Sequence, residues 1–242
     1  MRPQTPGGLV GVKVLRVAGA AALAAALLTG AAACGSSKSS DSSPAAIEAT
    51  TTTTKAPPSA AAVQGAVLTL SDLPAGYSAM PDTSSGGDSS LCPAAKAQMP
   101  SSLSGDTNPS GSAQFSQSQL GPFLFEAVGV VDDAQAEFAK GKAALDACTS
   151  APWTETDAQG QVTTYNLAPV SFPTHGSEQV AYKLTASATG AQIEGDIVVI
   201  RIDGVLMMIG GLGTTSILGN HPMDPAQLST IVDTAVGKIE AL

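Results

Sequence analysis

Two histidines and three cysteines are the scarce, chemically distinctive side chains of this 242-residue sequence. His175 lies in "FPTHGSEQ", beside Ser177 and Glu178. A serine, a histidine and an acid are the parts of an acyl-transfer site, but such sites are assembled from separate segments, and these three are sequence neighbours. No G-x-S-x-G elbow occurs in the chain. The reading is therefore a loop histidine, with no catalytic residue assigned. His221, in "GNHPMDP", and Asp224 offer two metal ligands, where zinc takes three or four. Asp224 is also in place to cap a helix, so no metal site is expected. Asp82 and Asp88 in "PDTSSGGD" have a calcium-like spacing but lack the bidentate glutamate that closes such a loop. "GGLGTTS", from Gly210, contains Gly-x-Gly without a lysine or an immediately following helix, so it reads as a mobile loop and not as a phosphate cradle. No cofactor is expected.

Each of the three cysteines has a different context. Cys34 closes "LLTGAAAC". Before it, Arg2, Lys13 and Arg16 form a positive region, Val17 to Leu28 an apolar run, and Gly30 to Ala33 a series of small residues. This is the order of a secretory signal peptide. The alternative, a retained anchor, needs roughly 20 apolar residues and a basic flank beyond them. Ala31-Ala32-Ala33-Cys34 resembles the lipobox of bacterial lipoproteins, although Ala31 stands where a leucine is usual. It is equally an A-x-A site for ordinary signal peptidase. Either cut leaves Cys34 first, and only the lipid differs. Acylation is the reading adopted. No folded element follows Cys34 closely, and setting it aside leaves an even cysteine count in an exported domain. Two acyl chains on one residue anchor stably where one is marginal.

Cys92 and Cys148 remain, and in an oxidising compartment they are expected to pair. In the chain-entropy model the loop they close is worth on the order of 4 kcal/mol. A redox-active pair is the alternative, but the C-x-x-C spacing that depresses a thiol pKa is missing.

Composition narrows the function classes. Charged residues are only 13% of the chain and the formal net charge is −9. Removing residues 1–33 leaves 8 Lys and Arg against 20 Asp and Glu. A nucleic-acid binder needs a basic footprint, so that class is excluded. The folded part should also be repelled by anionic lipid headgroups. Residues 34–65 are low-complexity Ser, Thr, Ala and Pro with no apolar period, which reads as a disordered tether. Its Thr50–Thr54 run with Pro57 and Pro58 suits either O-linked sugars or an unmodified spacer.

The periodic signals run over residues 66–242. "VLTLSDLPAGY" opens them with a turn or helix start at Ser71 and Asp72, and a short helix from Leu91 to Gln98, carrying Cys92, follows. "SAQFSQSQ" and "FLFEAVGVV" alternate as strands. Asp132 and Asp133 then cap a helix that places Ala134, Phe138, Leu145 and Cys148 on one face. Trp153 begins a hairpin that turns at Asp157 to Gly160, and "EQVAYKLTASA" is a further strand. "AQIEGDIVVIRIDGVLMMIGG" is the clearest hairpin, with Asp203-Gly204 suiting a type I′ turn. A last helix starts with Asp224 as N-cap and Pro225 in its first position, and buries Leu228, Ile231, Val232, Ala235 and Ile239. The expected fold is α+β: a mainly antiparallel sheet backed by two main helices, with one disulfide.

One feature of that hairpin bears on function. "IVVIRI" and "VLMMIGG" are apolar on both faces, whereas antiparallel strands usually keep one polar face. Either both faces are covered, or one carries an apolar groove. Met207 and Met208 suit an adaptable groove wall, particularly if both helices lie on one side. Arg201, a rare basic residue in this segment, is then either an ion-pair partner or the polar handle for an anionic ligand.

"LTLSDLP" (Leu68–Pro74), Cys92, "FAKGKAALDAC" (Phe138–Cys148), Trp153, "IVVIRIDGVLMMI" and the final helix together resemble a known family. It is the extracytoplasmic sensor domain of protein-kinase-H-type Ser/Thr kinases of actinobacteria, found also as free lipoproteins. The resemblance implies an α+β domain with a ligand-sized cleft and no catalytic residues. Members often have a second disulfide, for which this chain lacks the cysteines. No kinase domain is present, so sensing would act through a partner. The expectation is a lipoprotein held at the extracytoplasmic face of the cell membrane through acylated Cys34. Its domain would bind an envelope ligand or protein without catalysing a reaction. The alternative is a carrier of a lipid or other apolar envelope molecule.

Overall fold

The computed structural model describes residues 58–81, 92–93, 110–157 and 159–242. Cys34, the signal-peptide segment, the acidic pair Asp82 and Asp88, and most of the expected helix around Cys92 lie outside them. Among the described residues, nine strands form a single antiparallel sheet. In chain order they are β1 (Ser78–Ala79), β2 (Ser110–Ser116), β3 (Phe123–Val130), β4 (Trp153–Thr156), β5 (Val162–Pro169), β6 (Glu178–Ala188), β7 (Ala191–Ile202), β8 (Val205–Ser216) and β9 (Gly219–His221). They lie in the order β1-β2-β3-β8-β7-β6-β5-β4, and β9 pairs with the far end of β8. Helix α1 (Ala60–Ala66) and a 3-10 turn (Leu70–Asp72) precede the sheet. Helix α2 (Ala134–Cys148) links β3 to β4, and α3 (Pro225–Glu240) ends the chain.

Both long helices start where their caps place them. The Asp133 carboxylate accepts from Ala136 N–H at 3.0 Å, and that of Asp224 from Ala226 N–H at 2.9 Å, with Pro225 opening α3. Leu228, Ile231, Val232, Ala235 and Ile239 form the buried stripe of α3, joined by Val236. Each of its Leu, Ile and Val side chains contributes about 1.5–3 kcal/mol when removed from water.

Four points left open or expected from the sequence are decided by the structure. The helices do not share a face. The stripe of α3 packs with Val63 of α1 on one side of the sheet, and Phe138, Leu145 and Cys148 of α2 pack on the other. The domain also begins before residue 66. Val63 is completely buried in α1, and the Ser59 hydroxyl caps that helix by accepting from Ala62 N–H. Alanine-rich sequence hid this helix, since its contact with the core is carried by Val63 and the small Ala66. Thirdly, "GGLGTTS" is the second half of β8 and not a loop. A Cβ on Gly210 would lie 2.4 Å from the Phe125 ring, and one on Gly211 would lie 2.7 Å from Met223. These glycines admit large side chains on opposite faces of one strand. Lastly, the β7–β8 hairpin turns at Asp203-Gly204 as expected, but Asp203 (φ 51°) has the left-handed backbone and Gly204 is not among the positive-φ glycines, so the turn is not type I′.

Candidate functional site

The two-faced apolar hairpin is explained by cover on both sides. Met207 belongs to the core under α1 and α3, and Met208 to the core under α2. They are 1% and 4% exposed, so neither lines an open groove. Arg201 stands directly across from Glu178, and its Nε donates to Glu178 Oε2 at 2.6 Å. Its Nη1 reaches the carbonyl of Asp203 at 3.4 Å. Of the two readings of Arg201, the structure shows the ion pair.

Of the histidines, His175 is held between β6 and α3. His175 turns toward α3, with Nδ1 3.5 Å from an Asp233 carboxylate oxygen. Its own N–H donates to Gln179 Oε1, while Ser177 N–H donates to the carbonyl of Arg201. His175 thus faces Asp233 of α3, whereas Glu178 pairs with Arg201. His221 pairs through its backbone with Thr214 in the β8–β9 ladder, and Asp224, three residues on, caps α3. Among the described residues, no group of three or more His, Cys, Asp or Glu side chains is arranged to hold a metal.

Cys92 and Cys148 are joined, with Cα atoms 5.6 Å apart. The bond ties the segment at Cys92 to the last residue of α2. Beside it, Tyr182 of β6 donates to Asp146 Oδ1 at 2.7 Å, and Lys142 pairs with the same carboxylate. The Lys142 ammonium and the Tyr182 hydroxyl hold Asp146 below its ordinary pKa. Burial, then the Asp146 carboxylate, raises that of Tyr182.

The most concentrated electrostatics lie on the other face, at a site missed by the sequence reading. Glu126 sits mid-strand in β3 and is 1% exposed. Its Oε2 accepts from Leu68 N–H at 2.6 Å, and among the described residues Oε1 is buried without a partner. One residue earlier, the carbonyl of Val67 accepts from Lys238 Nζ at 2.8 Å, and the same ammonium donates to Asp72 Oδ2 at 2.6 Å. Thr69 adds its N–H and hydroxyl to that carboxylate, each at 2.8 Å. Burial pushes Glu126 up to about 7, against the Leu68 donor and the Lys238 charge. Burial also acts upward on Asp72, but the Lys238 and Thr69 donors outweigh it and hold that carboxyl below its ordinary value. The available signal was the lone acid in "FLFEAVGVV", since an unpaired carboxylate is costly on a buried apolar strand. This site fastens the strand-free segment after α1 to both β3 and α3.

No protein-family model matches the sequence, and no curated protein matches it. Among solved structures, the chain is similar to the crystal structure of the extracellular domain of PknH from Mycobacterium tuberculosis. The TM-score is 0.56 at 14% identity, over 77% of this chain and 99% of that one. The chain therefore has the fold of that extracellular domain.

Proposed function

We propose that this protein is a membrane-anchored lipoprotein of the cell envelope whose domain binds a ligand or protein partner as a non-enzymatic, extracytoplasmic sensor module. The observation that carries the reading is the similarity along 99% of the PknH extracellular domain, reached with a disulfide between Cys92 and Cys148. An extracytoplasmic site suits that disulfide. It also suits the signal-peptide order of residues 1–33 and the placement of Cys34 as an acylated first residue. In this reading the anchor is the lipid, since the apolar run from Val17 to Leu28 is short of the roughly 20 residues that a spanning helix needs. The non-enzymatic part rests on the same neighbour and on the structural uses made of His175, Glu178 and Asp224. The carrier alternative loses its main support with the burial of Met207 and Met208.

Expression of the full chain in an actinobacterial host tests both parts. The N-terminal peptide should begin at Cys34 and carry diacylglyceryl mass, and Cys34→Ser should move the protein from membrane to supernatant. An unmodified N-terminus would remove the anchor. Native mass spectrometry of the same preparation should show no phospholipid-sized adduct after detergent exchange. A stoichiometric one would restore the carrier reading.

A further inference from the structure

Residues 58–77 join the sheet without strand pairing. Helix α1 and the 3-10 turn precede β1, which begins at Ser78, and their backbone bonds are local: Val63 N–H to Ser59, Asp72 N–H to Thr69 and Leu73 N–H to Leu70. The segment lies against β2, where a Cβ on Gly111 would meet Val67 Cγ1 at 2.7 Å and the Val63 carbonyl at 3.3 Å. Val63, Val67 and Leu68 share one core with Leu124 and Val128 of β3. Two side chains from elsewhere grip its backbone. Glu126 of β3 holds the Leu68 N–H, and Lys238 of α3 holds the Val67 carbonyl and the Asp72 carboxylate. The two grips differ in kind. Glu126 is buried, and among the described residues its Oε1 has no partner.

We infer that Glu126 makes residues 58–77 a proton-controlled strap, closed on the sheet while the Glu126 carboxyl is protonated and released, with the central strands still paired, once it ionises. An ionised carboxylate here has one oxygen bonded to Leu68 N–H and the other buried without a donor. A buried charge so poorly solvated is costly. Water can reach it by the lifting of residues 58–77 or by the parting of strands. The strands are the stronger barrier, since β3 is paired from Phe123 to Gly129 with both β2 and β8. Weakly cross-linked elements open first while paired core strands stay shut. Two charged groups act on Glu126 from the elements around it, and they oppose each other. Lys238 favours the ionised form and Asp72 disfavours it. Helix α1, β2 and β8 contain no Asp, Glu, Lys, Arg or His. In α3, Asp233 lies beside His175 and Glu240 is exposed, while the Tyr77 hydroxyl reaches Met223 Sδ at 3.9 Å. Burial outweighs both charges and raises the carboxyl from 4.5 to about 7. The closed strap therefore binds the proton more tightly than the open one, and this advantage, complete below pH 4.5, is lost as pH rises through about 7.

If the domain is a sensor, the strap makes the proton one of its inputs; that clause rests on the proposal above, whereas the strap is tested on the fold itself. The full chain, kept in a nonionic detergent, is followed by hydrogen–deuterium exchange at pH 5.5 and pH 8.5, with labelling times scaled to the intrinsic exchange rate at each pH. Protection of peptides from residues 60–73 should fall roughly tenfold or more at the higher pH, while peptides from β6, β7 and β8 keep theirs. Glu126→Gln should hold residues 60–73 protected at both pH values. If that variant does not fold, the parent decides, because the midpoint of its loss of protection should coincide with the Glu126 carboxyl titration followed by carbon-13 NMR. Protection of 60–73 that is equal at the two pH values, that falls together with β6 to β8, or that falls in Glu126→Gln as in the parent would each overturn the inference, as would midpoints that do not coincide. None of these outcomes touches the N-terminal mass or the membrane location on which the anchoring proposal stands.

Discussion

The carboxylate of Glu126 accepts from the backbone N–H of Leu68 at 2.6 Å, across 58 positions of sequence. The bond joins the middle of the sheet to the first segment of the domain. Because Glu126 is buried, the bond brings a titratable group into the core. Its folded-state pKa of about 7 exceeds the ordinary 4.5, so the folded state binds the proton more tightly than the unfolded state. The resulting stability is present below pH 4.5 and is lost as pH rises through about 7. The melting temperature should therefore fall between pH 5 and pH 8, a change on the order of 3 kcal/mol from this group. Glu126→Gln should flatten that dependence and exceed the parent in stability at pH 8. A parent profile already flat over this range would contradict the assignment.

Lys238 acts on the same segment from α3. Replacing it with methionine keeps the packing of the stem but leaves the Val67 carbonyl and Asp72 without their ammonium donor. The loss should be about 1–3 kcal/mol in denaturant unfolding. The Lys238 charge also lowers the pKa of Glu126, so the Glu126 titration followed by carbon-13 NMR should move upward in Lys238→Met. An unmoved titration would separate the two groups.

The Cys92–Cys148 bond spans 56 positions. In the loop-entropy account its removal costs on the order of 4 kcal/mol. Cys92→Ala/Cys148→Ala should melt well below the parent, and the parent in dithiothreitol should melt with it. Equal melting of oxidised parent and double variant would mean that the bond only decorates a fold held by other contacts.

Gly210 makes room for the Phe125 ring under α2. Gly210→Ala should destabilise the domain by about 1–3 kcal/mol, since the ring must shift within a packed core. Adding Phe125→Leu should recover part of that loss. A double variant no more stable than the sum of the single changes would place the strain elsewhere.

What could be read from sequence was what one local pattern decides. The β7–β8 hairpin, the Asp224-Pro225 helix start and the Cys92–Cys148 pair each depend on spacing within a short segment or on cysteine count. What could not be read depends on the third dimension. Alternation in "IVVIRIDGVLMMI" shows that both faces are apolar, but not that α2 and α3 take one each. "GGLG" carries the composition of a loop because its side-chain space is taken by Phe125 and Met223, which come from distant segments. Glu126 and Leu68 meet only because β3 pairs with β8 in the centre of the sheet and α1 folds back over it. The candidate groove failed for the same reason. Met207 and Met208 look alike in sequence and point into two different cores.

The fastening at Val67 and Leu68 also sets how the domain would respond to mechanical load. A chain pulled from its N-terminal side meets α1 first, then the two backbone groups gripped by Lys238 and Glu126. Tension reaches the sheet only after those bonds part. They act as a fuse: yielding there pays out the first residues of the domain as slack while strands β2 to β8 stay paired. Because one of the two gripping groups titrates near neutrality, the force at which the fuse opens depends on pH.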